Sequence, residues 1–167
     1  GMISSKTNPT LQALCRVVGS LCVLTASKGT GENNVKSAML ASWVSQASFS
    51  PPGLSISVAK DRAVESLLQK GDNFALNILS TNNAKESIKT FSKPFAPGED
   101  RFLGLNTEQT PNEQIIITNS LAWLDATVKE RMECGDHWVI YAEVNYGNVL
   151  NKDDITAVHH RKSGSNY

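Results

Sequence analysis

The chain has 167 residues, which is enough for one hydrophobic core and too few for two. Forty per cent of the residues are hydrophobic and 19% are charged, a composition typical of a soluble globular domain. Sixteen basic residues balance sixteen acidic ones without any run of Lys or Arg, which argues against nucleic-acid binding and against binding to an anionic membrane.

The first half of the chain predicts two helices and four strands. Asn8 and Pro9 suit the start of a helix that runs to residue 18. An apolar strand over 20–27 follows, and the Gly-Thr-Gly at 29–31 is interpreted as a hairpin turn, because it does not precede a helix as a dinucleotide-binding loop would. The remaining predicted elements of this half are a long strand over 35–49, a strand over 54–60, a helix over 61–71 with Asp61 as its N-cap, and a strand over 73–79.

The second half predicts one more helix and then strands in succession. The helix covers 81–92 and a loop rich in Pro, Gly and charged residues covers 93–104. Three strands are predicted over 114–119, 121–133 and 137–150. This order lacks the βαβ alternation of a doubly wound sheet, so we expect a mainly β fold, an antiparallel barrel with peripheral helices.

Three cysteines, Cys15, Cys22 and Cys134, form no CxxC pair and are an odd number. A disulfide framework is therefore not expected, and a reducing, cytoplasmic location fits best. Cys15 and Cys22 lie among apolar residues and are interpreted as buried thiols.

Cys134, Asp136 and His137 lie within four positions of one another and raise the question of a metal site or a Cys–His nucleophile. A metal site would need a second pair of ligands at suitable spacing, and none follows. A Cys–His pair would need the thiol within hydrogen-bond reach of the ring across a glycine turn. We therefore interpret the stretch as a hairpin in which Gly135 and Asp136 turn the chain, and we expect no metal and no catalytic acid, base or nucleophile.

Five motifs in order resemble those of one known family: "SAMLASWVSQASFSPPG", "VAKDRAVESL", "GDNFALNIL", "ECGDHWVIYAEV" and "VHHRKSGSNY". Together they resemble the flavin reductase-like family of FMN-binding split barrels over almost the whole chain. The second strand and the intact Ser-Pro-Pro-Gly are most similar to the C-terminal module of the diflavin flavodiiron proteins of cyanobacteria. We therefore interpret residues 1–7 as an expression scar and a disordered segment. Residues 8–167 are interpreted as a split-barrel domain cut from a longer chain.

The resemblance implies a Greek-key antiparallel split barrel that binds FMN, with FAD as an alternative, and that is reduced by NADH or NADPH. It also implies a homodimer, and electron transfer to flavodoxin-like and diiron domains of the parent chain, where oxygen is reduced to water. Two other functions stay open: a flavin-binding electron relay without its own nicotinamide site, and a split barrel that binds no flavin and serves in dimerisation.

The resemblance also implies a set of cofactor-binding residues: Lys36, Ser37, Met39, Ala41, Ser42, Trp43, Gln46, Lys60, Arg62, Ser66, Asn77 and His137. The small-residue strand would lie along the flavin ring, and Lys60, Arg62 and Ser66 would hold its phosphate. Several of these residues have alternative interpretations. Asn77 could instead hold a loop in place, and His137 could be a structural imidazole. The negative charge of Asp61, next to Arg62 in the sequence, would repel a phosphate.

Overall fold

Seven antiparallel strands form the main sheet of the computed structural model, which describes residues 8–93 and 99–167. The strands are β2 (Cys22–Lys28), β3 (Val35–Ala41), β4 (Val44–Ser48), β5 (Gly53–Ala59), β6 (Asn73–Ile78), β9 (Ala122–Cys134) and β10 (His137–Val149). Their order across the sheet is β3-β2-β6-β9-β10-β5-β4.

Shorter elements surround this sheet. The strands β1 (Gly19–Ser20) and β11 (Val158–His159) pair with each other, as do β7 (Thr107–Gln109) and β8 (Ile115–Ile117). The helices are α1 (Pro9–Leu14) and α2 (Ala84–Phe91), with 3₁₀ turns at Gly31–Asn33 and Ala63–Leu67. Residues 1–7, interpreted above as a scar and a disordered segment, lie outside the described part of the chain.

The connection between β3 and β4 shows that the sheet is closed into a barrel. These strands lie at opposite ends of the strand order, yet only Ser42 and Trp43 separate them in sequence. Six strand spacings across a flat sheet would be about 29 Å, whereas three extended residue steps reach roughly 11 Å. The sheet must therefore curl until its two edges meet, and the expected antiparallel barrel with peripheral helices is confirmed.

The barrel encloses the larger of two hydrophobic cores. Leu24, Ile56, Phe74, Val128 and Ile140 from five different strands are at most 1% exposed and pack together inside it. The 3₁₀ turn at Ala63–Leu67 also contributes to this core with Val64 and Leu67. Strands alternate inward and outward side chains, so each strand can serve the barrel core with one face only.

The smaller core lies outside the barrel, and a buried amide organises it. α2 and β8 cover the outer face of β2 and β3 there, through residues such as Val23, Phe91 and Ile117. Asn77 is fully buried at this place and its Oδ1 accepts from the Ile117 N–H at 2.8 Å. Its Nδ2 donates to the carbonyls of Ile115 at 3.2 Å and Val23 at 3.3 Å. Asn77 therefore pins β8 onto the sheet.

Most predicted elements are confirmed, and Asn8 caps α1 by accepting from Thr10 N and Leu11 N, although this helix ends at Leu14 and not at residue 18. Two predictions are wrong. The predicted strand over 35–49 is two strands, because the chain changes partner from β2 to β5 at Ser42 and Trp43. The predicted helix over 61–71 is only the 3₁₀ turn Ala63–Leu67, and Asp61 does not cap it. Its buried residues are three positions apart, a spacing that a 3₁₀ turn places on one side.

The hairpin predicted at Gly135 and Asp136 is confirmed. Cys134 pairs with His137 across a two-residue loop, and Gly135 has a φ of 61°, which glycine adopts without strain. Cys15 and Cys22 are buried free thiols as predicted, and burial raises the pKa of Cys22 to about 12. Of the loop predicted over 93–104, residues 94–98 lie outside the described residues.

We expect the substitution Asn77→Leu to destabilise the fold without changing flavin affinity. The leucine would leave the Ile117 N–H without its partner inside the smaller core and would remove one donor each from the Ile115 and Val23 carbonyls, at a cost of roughly 1–3 kcal/mol in the free energy of unfolding. Denaturant titration measures this loss, and Asn73→Ala, on the same strand, is the control that should cost less. Unchanged stability combined with lost FMN binding would instead place Asn77 in the cofactor site.

Candidate functional site

Three aromatic rings meet where the chain passes from β3 to β4. Trp43 stacks on His137 with ring centroids 4.7 Å apart and planes inclined by 28°. The Tyr167 ring lies tilted against both, 5.1 Å from Trp43 and 5.7 Å from His137. We call Trp43, His137 and Tyr167 the aromatic cluster.

The fold brings these rings together from three distant parts of the sequence. Trp43 crosses between the two sheet edges, and its carbonyl accepts from the Ser57 N–H at 3.0 Å. The crossing is packed tightly against β1, because a Cβ on Gly19 would come within 2.0 Å of the Ser42 carbonyl oxygen. His137 opens β10 directly after the hairpin loop and pairs with Ala59 at the end of β5.

Two guanidinium groups flank the aromatic cluster. Arg161 lies over Trp43, with its Cζ 5.1 Å from the ring centroid, and donates to the Leu14 carbonyl at 3.3 Å. Arg62 lies over Tyr167, with its Cζ 5.4 Å from the ring centroid. Both positions suit cation–π attraction.

Arg62 and Lys60 differ in how far their charges are already compensated. Lys60 forms an ion pair with Glu133 and lies 5.5 Å from the Trp138 ring centroid. The exposed Arg62 guanidinium forms no hydrogen bond and no ion pair with the residues that the structure describes. Arg62 is therefore the better candidate for an anionic ligand.

His137 connects the aromatic cluster to an acidic residue. Its Nδ1 donates to the Asp136 carboxylate at 2.7 Å, which leaves Nε2 of the neutral ring as an acceptor for the Tyr167 hydroxyl in contact with it. The hydrogen bond from His137 lowers the pKa of Asp136, and the positive charge that the ring carries when it is protonated instead of neutral lowers this pKa further. Partial burial raises the pKa of Tyr167, so its hydroxyl keeps its proton at neutral pH.

A cleft of about 530 Å³ lies beside Trp43. Its volume is within the range of small-molecule sites. Its lining combines apolar side chains with short hydroxyl groups, notably Leu14, Val17, Val18, Ser42, Ser55 and Ser57. The Trp43 indole Nε1 is buried and has no hydrogen-bond partner among the described residues. A buried donor without a partner is costly, so this N–H is a candidate to donate to an acceptor.

The structure brings four of the predicted site residues together at one place: Ser42, Trp43, Arg62 and His137. Lys60 adjoins them only through its backbone N–H, which donates to the Asp136 carbonyl at 3.0 Å, while its side chain pairs with Glu133. Ser66 follows Arg62 on the 3₁₀ turn, where its hydroxyl donates to the Ala63 carbonyl at 3.0 Å. Gln46 is exposed on the edge strand β4, where its Nε2 donates to the Ser48 carbonyl at 3.2 Å.

The other predicted site residues lie apart from the aromatic cluster. Ser37, Met39 and Ala41 face into the barrel, so a ligand outside it would meet only their main chain. Lys36 lines a separate polar cavity of about 430 Å³, in which Lys28 already pairs with Asp72 at 2.9 Å. Asn77 bonds within the smaller core, which favours the loop-pinning interpretation over cofactor binding.

Three residues of the site were missed from the sequence: Asp136, Arg161 and Tyr167. The last two belong to the closing motif quoted above, so that motif was the available signal. Within residues 8–93 and 99–167, no group of three or more His, Cys, Asp or Glu could hold a metal ion. None of the helices in those residues is long and apolar enough to cross a membrane.

Comparison with known families identifies the domain. The model of the flavin reductase like domain matches residues 14–165, which include β1–β11 and the cleft. The chain belongs to this family.

Relatives of this flavin reductase like domain are parts of longer proteins. Diflavin flavoprotein A 3 of Synechocystis sp. (strain ATCC 27184 / PCC 6803 / Kazusa) is 57% identical over 163 residues, covering 98% of this chain and 26% of the relative. Diflavin flavoprotein A 1 of the same organism is 52% identical over 156 residues, covering 93% and 26%. The chain thus spans about a quarter of the length of the relatives it matches.

A solved structure has the same fold. The NADH:FAD oxidoreductase SgcE6 of Streptomyces globisporus C-1027, in complex with NAD and FAD fragments, superposes with a TM-score of 0.75. The match covers 95% of this chain and 91% of that one at 19% identity. At that identity the likeness establishes the split-barrel fold alone.

We expect the substitution His137→Phe to raise the pKa of Asp136 toward the ordinary aspartate value. The phenyl ring removes both the hydrogen bond and the positive charge that lower this pKa. Carboxyl NMR titration measures the pKa. Asp154 is the internal control, since the Thr81 hydroxyl is the main cause of its lowered pKa and is unaffected by the change.

The lowered pKa of Asp136 also makes the stability of the fold depend on pH. Because the pKa of Asp136 is lower in the folded state, its pairing with His137 stabilises the fold above the ordinary aspartate pKa. That contribution is lost as the pH falls through the lowered pKa, so wild type should lose more stability than His137→Phe below about pH 4. Equal Asp136 pKa values in the two proteins would show that the pair does not exist in solution.

Proposed function

We propose that this domain binds FMN and transfers a hydride to it from NADH or NADPH. In the parent chain, electrons would then pass to flavodoxin-like and diiron domains, where oxygen is reduced to water. Membership of the flavin reductase like family and the diflavin names of its relatives support an oxidoreductase function for the domain. The same proposal includes a cytoplasmic homodimer.

The proposal that the flavin binds beside Trp43 rests on one observation. Trp43 combines a flat ring, a buried indole N–H without a partner and an adjoining cleft, all at the junction of the two sheet edges. A flavin ring presents both an aromatic face and carbonyl acceptors, so it matches the two requirements of this side chain. Apolar lining with a few convergent polar groups is typical of cofactor sites.

Arg62 provides for the phosphate end of the cofactor. It precedes the 3₁₀ turn on the same side as the aromatic cluster, and its guanidinium is free to bond. A guanidinium can bind two phosphate oxygens at once, which makes it a stronger phosphate ligand than an ammonium group already paired with Glu133. Asp61, the neighbour of Arg62, opposes an anion here, so we assign the main contribution to Arg62.

A bound flavin would supply the hydride-accepting chemistry itself. The residues of this chain would orient the ring, exclude water and fix the face on which the donor arrives. The His137–Asp136 hydrogen bond holds the imidazole in one orientation beside Trp43, which suits a positioning role. The binding of NAD and FAD fragments by the Streptomyces protein of the same fold supports a nicotinamide donor.

We expect anaerobic NADH or NADPH to bleach the visible absorbance of the FMN-loaded chain. The donor ring would reach the flavin from the cleft beside Trp43. Anaerobic stopped-flow absorbance measures the rate, and dithionite reduction of the same sample controls for bound flavin. Bound flavin that dithionite bleaches but neither nucleotide does would favour the electron relay, and a chain that binds no flavin would favour a dimerisation module.

We expect Arg62→Ala to weaken FMN binding by roughly 10- to 100-fold, because a charge-assisted hydrogen bond contributes about 1.5–3 kcal/mol. Riboflavin, which lacks the phosphate, should bind wild type and variant equally. Lys60→Ala is the matched control and should have a smaller effect on FMN, since the Lys60 charge is already paired. Dissociation constants come from quenching of flavin fluorescence. An equal loss of riboflavin affinity would mean that Arg62 acts on the ring rather than on the phosphate.

A further inference from the structure

Among the residues that the structure describes, Arg161 is the only charged one that lines the cleft beside Trp43. The rest of the lining is apolar or carries small hydroxyl groups. Arg161 is partly buried, and its guanidinium lies over the Trp43 ring, with Cζ 5.1 Å from the ring centroid. A single positive charge therefore belongs to the same cleft as the buried indole N–H.

The guanidinium of Arg161 is held in place by neutral groups, which leave its charge uncompensated. It donates to the Leu14 carbonyl at 3.3 Å and to the Asn166 carbonyl at 3.5 Å, a long bond. Attraction to the face of Trp43 is a third restraint. Arg161 forms no ion pair with an acidic side chain within residues 8–93 and 99–167. Its position is thus fixed while its positive charge remains available to a ligand.

The apolar rim of the cleft would strengthen the effect of this charge on a bound ligand. Leu14, Val17 and Val18 line the cleft and are 49%, 69% and 46% exposed. A planar ring in the cleft would cover these side chains and displace the water from them. Because the attraction between opposite charges grows as the local dielectric constant falls, Arg161 would act on such a ring more strongly than a guanidinium on the open surface.

A flavin ring changes its charge when a hydride reduces it. A C–H bond of the nicotinamide breaks, an N–H bond of the flavin forms, and both electrons of the hydride move to the flavin. The nucleotide is left as NAD⁺ or NADP⁺, and the flavin ring, neutral before the transfer, carries one negative charge. A fixed positive charge in the same cleft therefore favours the reduced ring over the oxidised one.

We propose that Arg161 raises the reduction potential of the bound flavin by stabilising the negative charge of the reduced ring. The inference rests on the proposed function for the identity of the ligand. It gives Arg161 a task different from that of Arg62. Arg62 contributes affinity for the phosphate, which is present in both oxidation states, whereas Arg161 contributes the difference in affinity between the two states.

The test measures the midpoint potential of FMN bound to the chain, by anaerobic spectroelectrochemical titration in a mildly alkaline buffer. Arg161→Gln should weaken the binding of reduced FMN relative to oxidised FMN by roughly 10- to 100-fold. For a two-electron couple this corresponds to a potential that is lower by about 30–60 mV. Lys85→Gln is the matched control, because it removes one positive charge from an exposed position on α2, outside the cleft, and should leave the potential unchanged.

Two further variants separate the charge of Arg161 from its shape. Arg161→Lys keeps the charge but loses the planar group that lies over Trp43, and it should restore most of the potential that Arg161→Gln loses. Arg161→Met removes the charge and keeps an unbranched side chain that suits the apolar cleft. It is the second neutral variant, so the test can be made even where Arg161→Gln does not fold.

The outcomes distinguish this inference from the proposed function. A lower potential in the neutral variants that Arg161→Lys restores supports the role of Arg161, whether or not NADH bleaches the flavin. Equal potentials in wild type and the neutral variants overturn it, even if NADH bleaches the wild-type flavin. A lowered potential that Arg161→Lys shares in full also overturns it, because the shape of the side chain would then be the cause. A chain that binds no FMN overturns both this inference and the proposed function.

Discussion

The two-residue crossing at Ser42 and Trp43 is the constraint on which the rest of this structure depends. It connects strands at opposite ends of a seven-stranded order, and therefore requires a closed barrel. It also ends the ladder between β3 and β2 and starts the one between β4 and β5. At such a seam the side chains no longer follow the regular alternation of a strand, so Trp43 can lie outside the barrel core with its indole N–H buried and unpaired among residues 8–93 and 99–167.

The candidate site follows from this seam. His137 reaches it because the tight hairpin at Gly135 and Asp136 starts β10 beside the end of β5. Gly19 reaches it from β1, and the close approach of its backbone to Ser42 leaves no room for a side chain. Stacked aromatic rings, a buried indole N–H and the exposed Arg62 guanidinium thus converge from separate elements of one barrel. A rigid scaffold of this kind would suit the orientation of the flavin ring proposed above.

Much of the fold could be predicted from the sequence, because local patterns encode it. The alternation in β9 and β10, the cap at Asn8 and the hairpin at Gly135 each depend on residues that are close in sequence. The break at Ser42 and Trp43 could not be predicted, since small and apolar residues continue through it without a Gly or Pro. The 3₁₀ turn at Ala63–Leu67 was mistaken for a helix because both place apolar residues three positions apart.

The site was harder to predict because its contacts are long-range. The resemblance identified Ser42, Trp43, Arg62 and His137, and the structure brings them together. It could not separate Lys60 from Arg62, since the partner of Lys60 is Glu133, on a distant strand. Asn77 looked like a cofactor ligand because a buried amide in a strand needs partners, and its partners are instead the backbone groups of β2 and β8.

The central claim, that the flavin binds at the seam beside Trp43, is tested most directly by the indole N–H signals of the three tryptophans. In a ¹⁵N-labelled chain titrated with FMN, the account predicts a large downfield shift of the Trp43 indole proton as it gains an acceptor, with Trp123 unchanged. An unchanged Trp43 signal at saturating FMN, with shifts confined to residues of the other cavity such as Lys36 and Gln114, would contradict it.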